Sequence, residues 1–402
     1  MKIGIVRETK NPPDKRVPLS PEQCKQVIEL YPEVTLVVQP SPIRKFQDQE
    51  YTDQGITLQT DLSDCDILVG VKEVEIDALI ANKTYVFFSH TYKLQPYNAK
   101  LLKAILDKKI RLVDYEVIKG NDGKRLIGFG RYAGIVGCYN GLLALGKKTG
   151  NYDLKAANQC EDRKEMEDQL KKVILPSNFK AVITGFGRVG LGAREIISLL
   201  PIKEVKPEEF LTNTFDEPVF THLNTEDYFR RKSDNGFDKS EFYADPSEYI
   251  SVFPAYCLKA ELYVACHFWS DNSPFFFTRE DMKHPEWKCK VVADVSCDID
   301  GPVACTLRPS TIADPLYGYD RFSEKIADYK DENAICVMAV DNLPCELPKD
   351  ASEDFGQELI KSVIPHLLGK DEDGIIANAC ETNLKGELTA NYSYLEDYVK
   401  NA

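Results

Sequence analysis

Short apolar runs alternate with amphipathic stretches along the first 130 residues of the chain. Runs rich in β-branched residues predict strands, and apolar residues recurring every three or four positions predict helices. Strands separated by helices of this length indicate βαβ units and a mostly parallel sheet. The predicted strands are Ile3–Val6, Val34–Gln39, Ile67–Val71, Val86–Ser89 and Arg111–Asp114, and the predicted helices are Pro21–Tyr31, Asp77–Asn82 and Pro96–Asp107.

A second α/β pattern follows a stretch rich in glycine, alanine and leucine, Ala133–Lys148, which predicts a packed helix between two domains. Asn151–Lys172 is charged and helical in pattern, whereas Pro201–Glu248 is polar and aperiodic and predicts a long loop. Ser352–Leu368 predicts a helix that returns to pack on the N-terminal domain. Further strands are predicted at Lys180–Thr184, Leu262–Phe268, Cys289–Val295 and Ala334–Val340.

A glycine-rich turn links the strand at 180–184 to an apolar-periodic helix. In this context G-x-G-x-x-G is typical of dinucleotide sites: the glycines permit the turn, backbone approach to a pyrophosphate, and close packing of helix and strand. The N–H groups at the helix start would bind the phosphates. The alternative is a purely structural turn. The residues expected to bind NAD or NADP here are Gly185, Phe186, Gly187, Arg188, Val189 and Gly190.

The composition is that of a soluble globular protein with a formal net charge of −14, which argues against nucleic acid and anionic membranes as partners. Any anionic substrate therefore needs a local cluster of cations. The N-terminus is a strand without signal-peptide features, and no apolar run has membrane-spanning length, so we expect a cytoplasmic protein. Its 12 cysteines lack metal-site spacing and indicate reduced thiols, with no metal expected.

Two candidate proton carriers end consecutive predicted strands. Lys72 emerges from an apolar run with Glu73 beside it, and His90, one of only five histidines, closes the next run. A buried ammonium needs solvent, a ligand or a counter-ion, and a histidine titrates near neutral pH. An ordinary strand-end lysine and a satisfied core histidine are the alternatives. If both side chains face one cleft, they form a candidate acid–base pair.

Cations accumulate near these strands in an otherwise acidic chain. Arg16, in a loop that enters a helix, offers a planar face to a carboxylate, although a surface arginine beside a helix cap is the alternative. Each of the others is ordinary alone, but together they would supply the local positive field. The set expected to bind an anionic substrate is Arg16, Lys72, Lys93, Arg125 and Arg131.

The chain resembles the lysine-forming saccharopine dehydrogenases, above all the lysine–2-oxoglutarate reductase half of the bifunctional animal enzyme, and more distantly alanine dehydrogenase and the first subunit of transhydrogenase. The likeness extends over nearly the whole chain, and Phe87–Thr91 with Asp341–Pro344 is its most specific part. The other resembling stretches are Arg7-Glu8 through Arg16–Pro21, Val69–Lys72, Lys83–Phe87, Ile110–Glu116, Phe129–Gly134 and Leu347-Pro348.

The resemblance implies an α/β fold of two Rossmann-like, doubly wound domains, with the active site in the cleft between them. The substrate domain would comprise residues 1–134 and 343–402, and the NAD(P)-binding domain residues 135–342. It also implies the reversible reductive condensation of lysine with 2-oxoglutarate to saccharopine. Residue by residue, Lys72 and His90 match the family's acid–base pair, and Glu73 and Glu116 match the acids that tune this pair. Arg16 and Arg125 match carboxylate-binding positions. Asp341 matches an acid near the nicotinamide.

Two departures from the family pattern leave questions open. The second cofactor strand lacks an aspartate at its tip, so Glu208 could hold a ribose hydroxyl, favouring NAD, or Lys206 could meet a 2′-phosphate, favouring NADP. The saccharopine-cleaving half of the animal enzyme is also missing from this sequence.

The alternatives to a saccharopine dehydrogenase are an alanine dehydrogenase, an opine-type dehydrogenase or a catalytically silent nucleotide-binding protein. The sequence leaves the oligomeric state open.

Overall fold

The computed structural model describes residues 1–400 and residue 402. Its strands are β1 (Lys2–Ile5), β2 (Thr35–Val38), β3 (Thr57–Leu58), β4 (Ile67–Val69), β5 (Thr84–Phe87), β6 (Arg111–Asp114), β7 (Lys180–Thr184), β8 (Lys203–Glu204), β9 (Val219–Leu223), β10 (Phe229–Arg231), β11 (Tyr249–Ser251), β12 (Leu262–Ala265), β13 (Val291–Asp294), β14 (Leu316–Asp320), β15 (Lys325–Ala327) and β16 (Ala334–Met338).

The α-helices are α1 (Pro21–Leu30), α2 (Asp48–Asp53), α3 (Ala99–Asp107), α4 (Gly130–Thr149), α5 (Arg163–Gln169), α6 (Arg188–Ile197), α7 (Pro207–Thr212), α8 (Thr225–Tyr228), α9 (Lys239–Ala244), α10 (Pro254–Cys257), α11 (Pro348–Ser362), α12 (Ile364–Leu368), α13 (Ile375–Ala379) and α14 (Glu396–Lys400). Contacts divide the chain into two compact units, 1–129 with 348–402, and 130–347.

The first unit is built on a six-stranded parallel sheet in the order β3-β2-β1-β4-β5-β6. The strands are apolar runs such as Ile67–Val69, which is buried throughout, as expected of a parallel sheet covered on both faces. The returning C-terminal segment packs into the same core through Phe355 and Leu359 of α11. The predicted return of this segment to the N-terminal domain is therefore confirmed.

The second unit contains an eight-stranded sheet in the order β15-β14-β16-β13-β12-β7-β9-β8. The strands from β16 to β8 are parallel, and β14 and β15 add antiparallel to one edge. Helix α4 is buried along most of its length and packs on β12, β13, β16 and α6. The prediction of an α/β protein with parallel sheets is confirmed.

Three of the predicted elements differ from the structure. Asp77–Asn82 contains only the end of a single 3-10 turn, Ile76–Ala78, and within Asn151–Lys172 the α-helix is confined to Arg163–Gln169. The prediction of a long loop over Pro201–Glu248 is wrong, because this segment contains short strands and helices. Its strand β9 was missed since threonine and histidine interrupt the apolar run, yet all five residues of β9 are buried.

Among the helices that the structure describes, none combines the length and the apolar character that crossing a membrane requires.

The 12 cysteines are all free thiols. Ten of these are buried, and only Cys297 and Cys345 are partly accessible.

We expect Gly134→Ala to destabilise the second unit. Alanine favours a helix over glycine by about 1 kcal/mol, but a Cβ at Gly134 would lie 1.8 Å from the Val189 carbonyl oxygen. Such overpacking typically costs about 1–3 kcal/mol, so the clash outweighs the propensity gain. Urea unfolding measures the difference. Gly187→Ala is the control, because apart from its two chain neighbours no atom of the described chain lies within 4 Å of its Cβ position. Equal stability of the two variants would contradict the packing argument.

Candidate active site

The ends of three neighbouring strands carry the candidate chemistry of the first unit. Strands β4, β5 and β6 are adjacent and parallel, so their carboxyl ends share one edge of the sheet, the edge at which open α/β sheets bind ligands. Lys72 and Glu73 follow β4, His90 follows β5 and Glu116 follows β6. The structure thus brings together the residues that the sequence pattern assigned to strand ends.

The imidazole of His90 lies between two carboxylates. Its Nδ1 is 2.7 Å from Oε1 of Glu73, and its Nε2 is 3.9 Å from Oε2 of Glu116. Glu73 also accepts a hydrogen bond from Nζ of Lys10 at 2.7 Å. Burial acts to raise the pKa of Glu73, but the hydrogen bonds from His90 and Lys10 outweigh it and lower that pKa. An ionised Glu73 keeps the proton of His90 on Nδ1, which leaves Nε2 to exchange protons.

The side chain of Lys72 is partly buried, and its amine makes no ion pair or hydrogen bond with any residue in the described part of the chain. Burial lowers the pKa of Lys72, and repulsion from Arg16 lowers it further, while Glu73 and Asp14 act in the opposite direction. A lysine of this kind can accept and return a proton closer to neutral pH than an ordinary lysine. The amine therefore has the chemistry expected of a candidate general base.

The backbone of Lys72 is held by Glu8, a residue with no separate role predicted from the sequence. The two carboxylate oxygens of Glu8 accept hydrogen bonds from the backbone N–H groups of Val71 and Lys72, at 2.7 and 2.9 Å. Glu8 is buried, and this burial raises its pKa to about 8. It follows β1, which is the neighbour of β4. Its position at the same sheet edge was the signal that could have identified it.

Arg16 is not the surface arginine of the alternative interpretation, since it is only 3% exposed. Its Nε and Nη2 donate to the two oxygens of Asp14 at 3.0 and 2.6 Å, and its guanidinium lies 4.2 Å from the centre of the Phe129 ring. Burial acts to raise the pKa of Asp14, but the charge and hydrogen bonds of Arg16 lower it. A substrate carboxylate would share Arg16 with Asp14.

Two further predicted substrate cations meet at Glu116. Lys93 Nζ and Arg125 Nη1 lie 2.6 and 3.2 Å from Oε1 of Glu116. Burial acts to raise the pKa of Glu116, but the hydrogen bond and charge of Lys93 and the charge of Arg125 lower it. The two cationic side chains are 40% and 39% exposed. They are therefore accessible to an anion.

Arg131 differs from the other predicted substrate-binding cations. It belongs to the second unit, at the start of α4. There it forms a bidentate ion pair with Glu195, with distances of 2.7 and 2.8 Å. Glu195 also binds Arg163 at 3.0 Å. Glu195 thus occupies the same planar face of Arg131 that Asp14 occupies on Arg16, and a role for Arg131 in substrate binding stays a prediction.

A buried pair of carboxyl groups supports the segment that carries His90. Ser89 Oγ lies 2.5 Å from Oδ2 of Asp114 and 3.4 Å from Oε1 of Glu381, and Thr91 Oγ1 donates to Oε2 of Glu381 at 2.6 Å. The backbone N–H groups of Ser89 and His90 donate to Asp114 at 2.8 and 3.2 Å. These bonds hold His90 in its left-handed conformation, with φ of 55°.

Neither carboxyl group of this pair is accessible to water. Burial raises the pKa of both, that of Glu381 to about 8, and the charge of Asp114 raises the pKa of Glu381 further. The pair therefore retains a proton at neutral pH. Glu381 was absent from the predicted site because it lies far along the sequence, just after α13, and only the tertiary fold brings it to β6.

The glycine turn of the second unit has the geometry expected of a dinucleotide site. Gly185 has a φ of +91°, and a Cβ at Gly190 would lie 1.7 Å from the Gly185 carbonyl oxygen. Gly187 caps the N-terminus of α6, yet apart from its two chain neighbours no atom of the described chain lies within 4 Å of its Cβ position. Packing within the chain therefore explains Gly190 but not Gly187. Room for the backbone to contact a pyrophosphate would account for glycine at 187.

His222 supports this turn and was not among the predicted site residues. Its Nε2 is 2.7 Å from the Gly185 carbonyl oxygen, and its ring stacks on Phe186 with centroids 3.9 Å apart. Burial lowers the pKa of His222, so the imidazole is neutral and Nε2 donates to the carbonyl. Phe186 remains 49% exposed beside it. His222 lies in β9, within the segment that the sequence assigned to a loop.

The positions predicted to contact the adenosine ribose lie one strand away from the turn. Lys206 and Glu208 follow β8, which pairs with β9 and not with β7. Strand β7 lies between β12 and β9, and Asn224 and Glu226 follow the carboxyl end of β9. Asp341 follows β16 at the same edge as the turn, because β7, β12, β13 and β16 are parallel.

Among the described residues, no group of three or more histidine, cysteine, aspartate or glutamate side chains could hold a metal ion.

Residues 4–136 match the family model for the N-terminal domain of alanine dehydrogenase/PNT. Over 98% of its length the chain is 31% identical to alpha-aminoadipic semialdehyde synthase of Arabidopsis thaliana. It is also 31% identical, again over 98% of its length, to the mitochondrial alpha-aminoadipic semialdehyde synthase of Rattus norvegicus. It covers 41% and 47% of these relatives, so it spans about half of their length. Saccharopine dehydrogenase [NAD(+), L-lysine-forming] of Yarrowia lipolytica is 25% identical over 90% of this chain and 92% of that protein.

Two solved structures have the same fold. L-alanine dehydrogenase matches with a TM-score of 0.65 and 15% identity, over 100% of this chain and 99% of the other. The transhydrogenase of Sinorhizobium meliloti matches with a TM-score of 0.58 and 13% identity, over 97% and 100% of the two chains. The predicted Rossmann-like character of the fold is confirmed by these similarities, and the predicted family resemblance by the relatives above.

We expect the buried carboxyl pair to make stability depend on pH. A glutamic acid whose pKa is raised by folding, from 4.5 to about 8 for Glu381, contributes stability below its unfolded pKa and loses it as the pH rises through the folded value. Glu381→Gln removes this titration, so its unfolding free energy should fall less between pH 5 and pH 8 than that of the wild type. Urea titrations measure it, with the exposed Glu387→Gln as control. An unchanged pH dependence in Glu381→Gln would contradict the raised pKa.

Gly187→Ala should weaken dinucleotide binding while leaving the fold intact. Its Cβ would contact no described residue other than its two chain neighbours, but it would occupy the space of a pyrophosphate. We expect a loss of at least about tenfold in NADH or NADPH affinity, or about 1.4 kcal/mol, by fluorescence titration. Gly236→Ala, in a polar loop, is the matched control. Wild-type affinity in Gly187→Ala would contradict the assignment of the turn.

Proposed function

Since the chain is a homologue of the lysine-forming saccharopine dehydrogenases and of the alpha-aminoadipic semialdehyde synthases, we propose that it catalyses the reversible, NAD(P)-dependent condensation of L-lysine with 2-oxoglutarate to saccharopine. The observation that carries the proposal is the amine of Lys72, which has no partner among the described residues, beside the Glu73–His90 pair at one strand edge. The proposal concerns only the part of the longer relatives that this chain spans.

The reaction requires protons to move at two substrate atoms. Condensation joins the ε-amine of lysine to the keto carbon of 2-oxoglutarate, expels the oxygen as water and leaves an imine, which reduction converts to a secondary amine. When bound, the nicotinamide supplies or accepts the hydride. In our proposal Lys72 exchanges the proton at the substrate nitrogen, and His90 exchanges the proton at the departing oxygen through Nε2. Glu73 holds His90 in the tautomer that this role requires.

Saccharopine carries three carboxylates, so its site needs several cations in this acidic chain. Lys93 and Arg125 are partly exposed and lie together on Glu116, and we propose that they bind two substrate carboxylates. Arg16, which is paired with Asp14, is proposed to interact with a third carboxylate at the same edge. Alanine has one carboxylate and would not need this set. The cation cluster therefore favours the tricarboxylic substrate.

The glycine turn, with Phe186, Arg188 and Val189, is proposed to hold the cofactor pyrophosphate, and Asp341 to lie toward the nicotinamide end. We propose that Asn224 and Glu226, rather than Lys206 and Glu208, meet the adenosine ribose. An acid at this position binds ribose hydroxyls and disfavours a 2′-phosphate, which favours NAD. A cavity of about 180 Å³, lined by Thr225, Tyr228, Phe229, Phe242 and Phe268 among others, is proposed to take the adenine.

The assay follows oxidation of NADH and NADPH in the presence of lysine and 2-oxoglutarate. We expect turnover, with NADH preferred, and a loss of about 10²–10⁴-fold in kcat for Lys72→Met and for His90→Gln, the range typical of a positioned acid or base. Lys100→Met and His284→Gln, both outside the candidate site and at least partly exposed, are the matched controls and should retain wild-type rates.

Melting temperature and dinucleotide affinity, measured for all four variants, separate loss of chemistry from loss of folding. Turnover of pyruvate with ammonia in place of lysine with 2-oxoglutarate would contradict the substrate assignment in favour of an alanine dehydrogenase. Dinucleotide binding without any turnover would indicate a silent nucleotide-binding protein.

A further inference from the structure

A second cavity lies at the amino edge of the sheet of the second unit, opposite the glycine turn. Its volume is about 480 Å³. It is lined by the end of α4 and by the segments that precede β7, β12, β13 and β16. The five residues of β7 separate this edge from the turn, a distance of roughly 16 Å at about 3.3 Å per residue. The cavity, which we term the amino-edge pocket, is therefore distinct from the dinucleotide site.

The amino-edge pocket concentrates positive charge in an acidic chain. Five cations line it and only two carboxylates, those of Glu261 and Glu332, although the chain as a whole has a net charge of −14. The cations are Lys148, Lys259, Lys288, Lys290 and Arg321. A surface of random composition would here carry an excess of acids, so the reversal of sign is specific to this pocket.

The carboxylates of the chain neutralise this charge only in part. Glu261 binds Lys290 at 2.7 Å. Lys148 instead donates to the carbonyl oxygens of Asp331 and Ala334, at 2.6 and 2.8 Å, and burial lowers its pKa. Its charge is thus held by backbone groups, without a carboxylate partner in the described chain.

Lys259 and Lys288 form no ion pair within the described residues. Their positive charges repel that of the neighbouring Lys180. Burial lowers the pKa of Lys180 most, and repulsion from Lys259 and Lys288 lowers it further. An anion in the pocket would supply the counter-charge that these two lysines lack within the described residues.

We propose that the amino-edge pocket binds a small anion that carries two or more negative charges on phosphate or carboxylate groups. Its volume lies within the range of about 300–1,000 Å³ that is usual for small-molecule sites. Lysine ammonium groups bind phosphate and carboxylate oxygens alike, as point charges, so the two sources share one chemistry. The apolar side chains of Pro176 and Ile335 line part of the wall and suit the carbon body of such a ligand.

Isothermal titration calorimetry of the full chain tests the proposal. Pyrophosphate and citrate are titrated separately at constant ionic strength, which distinguishes phosphate from carboxylate ligands. We expect at least one of the two anions to bind, and Lys259→Gln/Lys288→Gln to weaken that binding at least tenfold. Lys164→Gln/Lys239→Gln, two exposed lysines of the same unit, removes the same charge elsewhere and should bind as the wild type does.

Two results would overturn the proposal. One is the absence of binding for both anions. The other is equal affinity in the wild type and in Lys259→Gln/Lys288→Gln, which would place the anion at the glycine turn or elsewhere. Melting curves of both double variants show that they are folded. The test does not depend on turnover, so its outcome is separate from that of the proposed lysine chemistry.

Discussion

The hydrogen bond between Glu73 and His90 is the interaction on which the candidate active site depends. Glu73 is nearly inaccessible, with 8% of its side chain exposed, yet it stays ionised because His90 and Lys10 both bind it. A buried carboxylate without these partners would be protonated. It would then no longer fix the His90 tautomer, and the electrostatic balance around Lys72 would shift. One buried charge thus orients the His90 imidazole and opposes the lowering of the Lys72 pKa by burial and Arg16.

Buried acids also hold the backbone at this sheet edge. Glu8 binds the N–H groups before and at Lys72, and Asp114 binds those of Ser89 and His90. Hydrogen bonds to buried carboxyl groups are costly to lose, since each leaves unpaired polar atoms away from water. The loops that carry Lys72 and His90 are therefore held rigidly, which is what a proton-transfer site requires. The polar network serves position as well as charge.

The sequence predicted what is local and missed what depends on tertiary contacts. Lys72 and His90 were found because apolar runs end just before them, and parallel strands bring such ends together. Glu381 could not be found in this way, because the segment it supports, at Ser89, is remote in sequence. Strand β9 was missed because its polar residues, Thr221 and His222, are buried only when β7 packs beside them. With β9 missing, the ribose position was assigned to residues after β8, which pairs with β9 and not with β7.

The titration of Lys72 tests the central claim most directly, because it does not depend on substrate or cofactor. Reductive ¹³C-methylation of the lysines followed by NMR reports each amine, and Lys72→Arg assigns the signal. We expect Lys72 to titrate below the ordinary lysine pKa of about 10.4, because burial and Arg16 disfavour its charge. Titration of Lys72 together with the exposed lysines would contradict this claim.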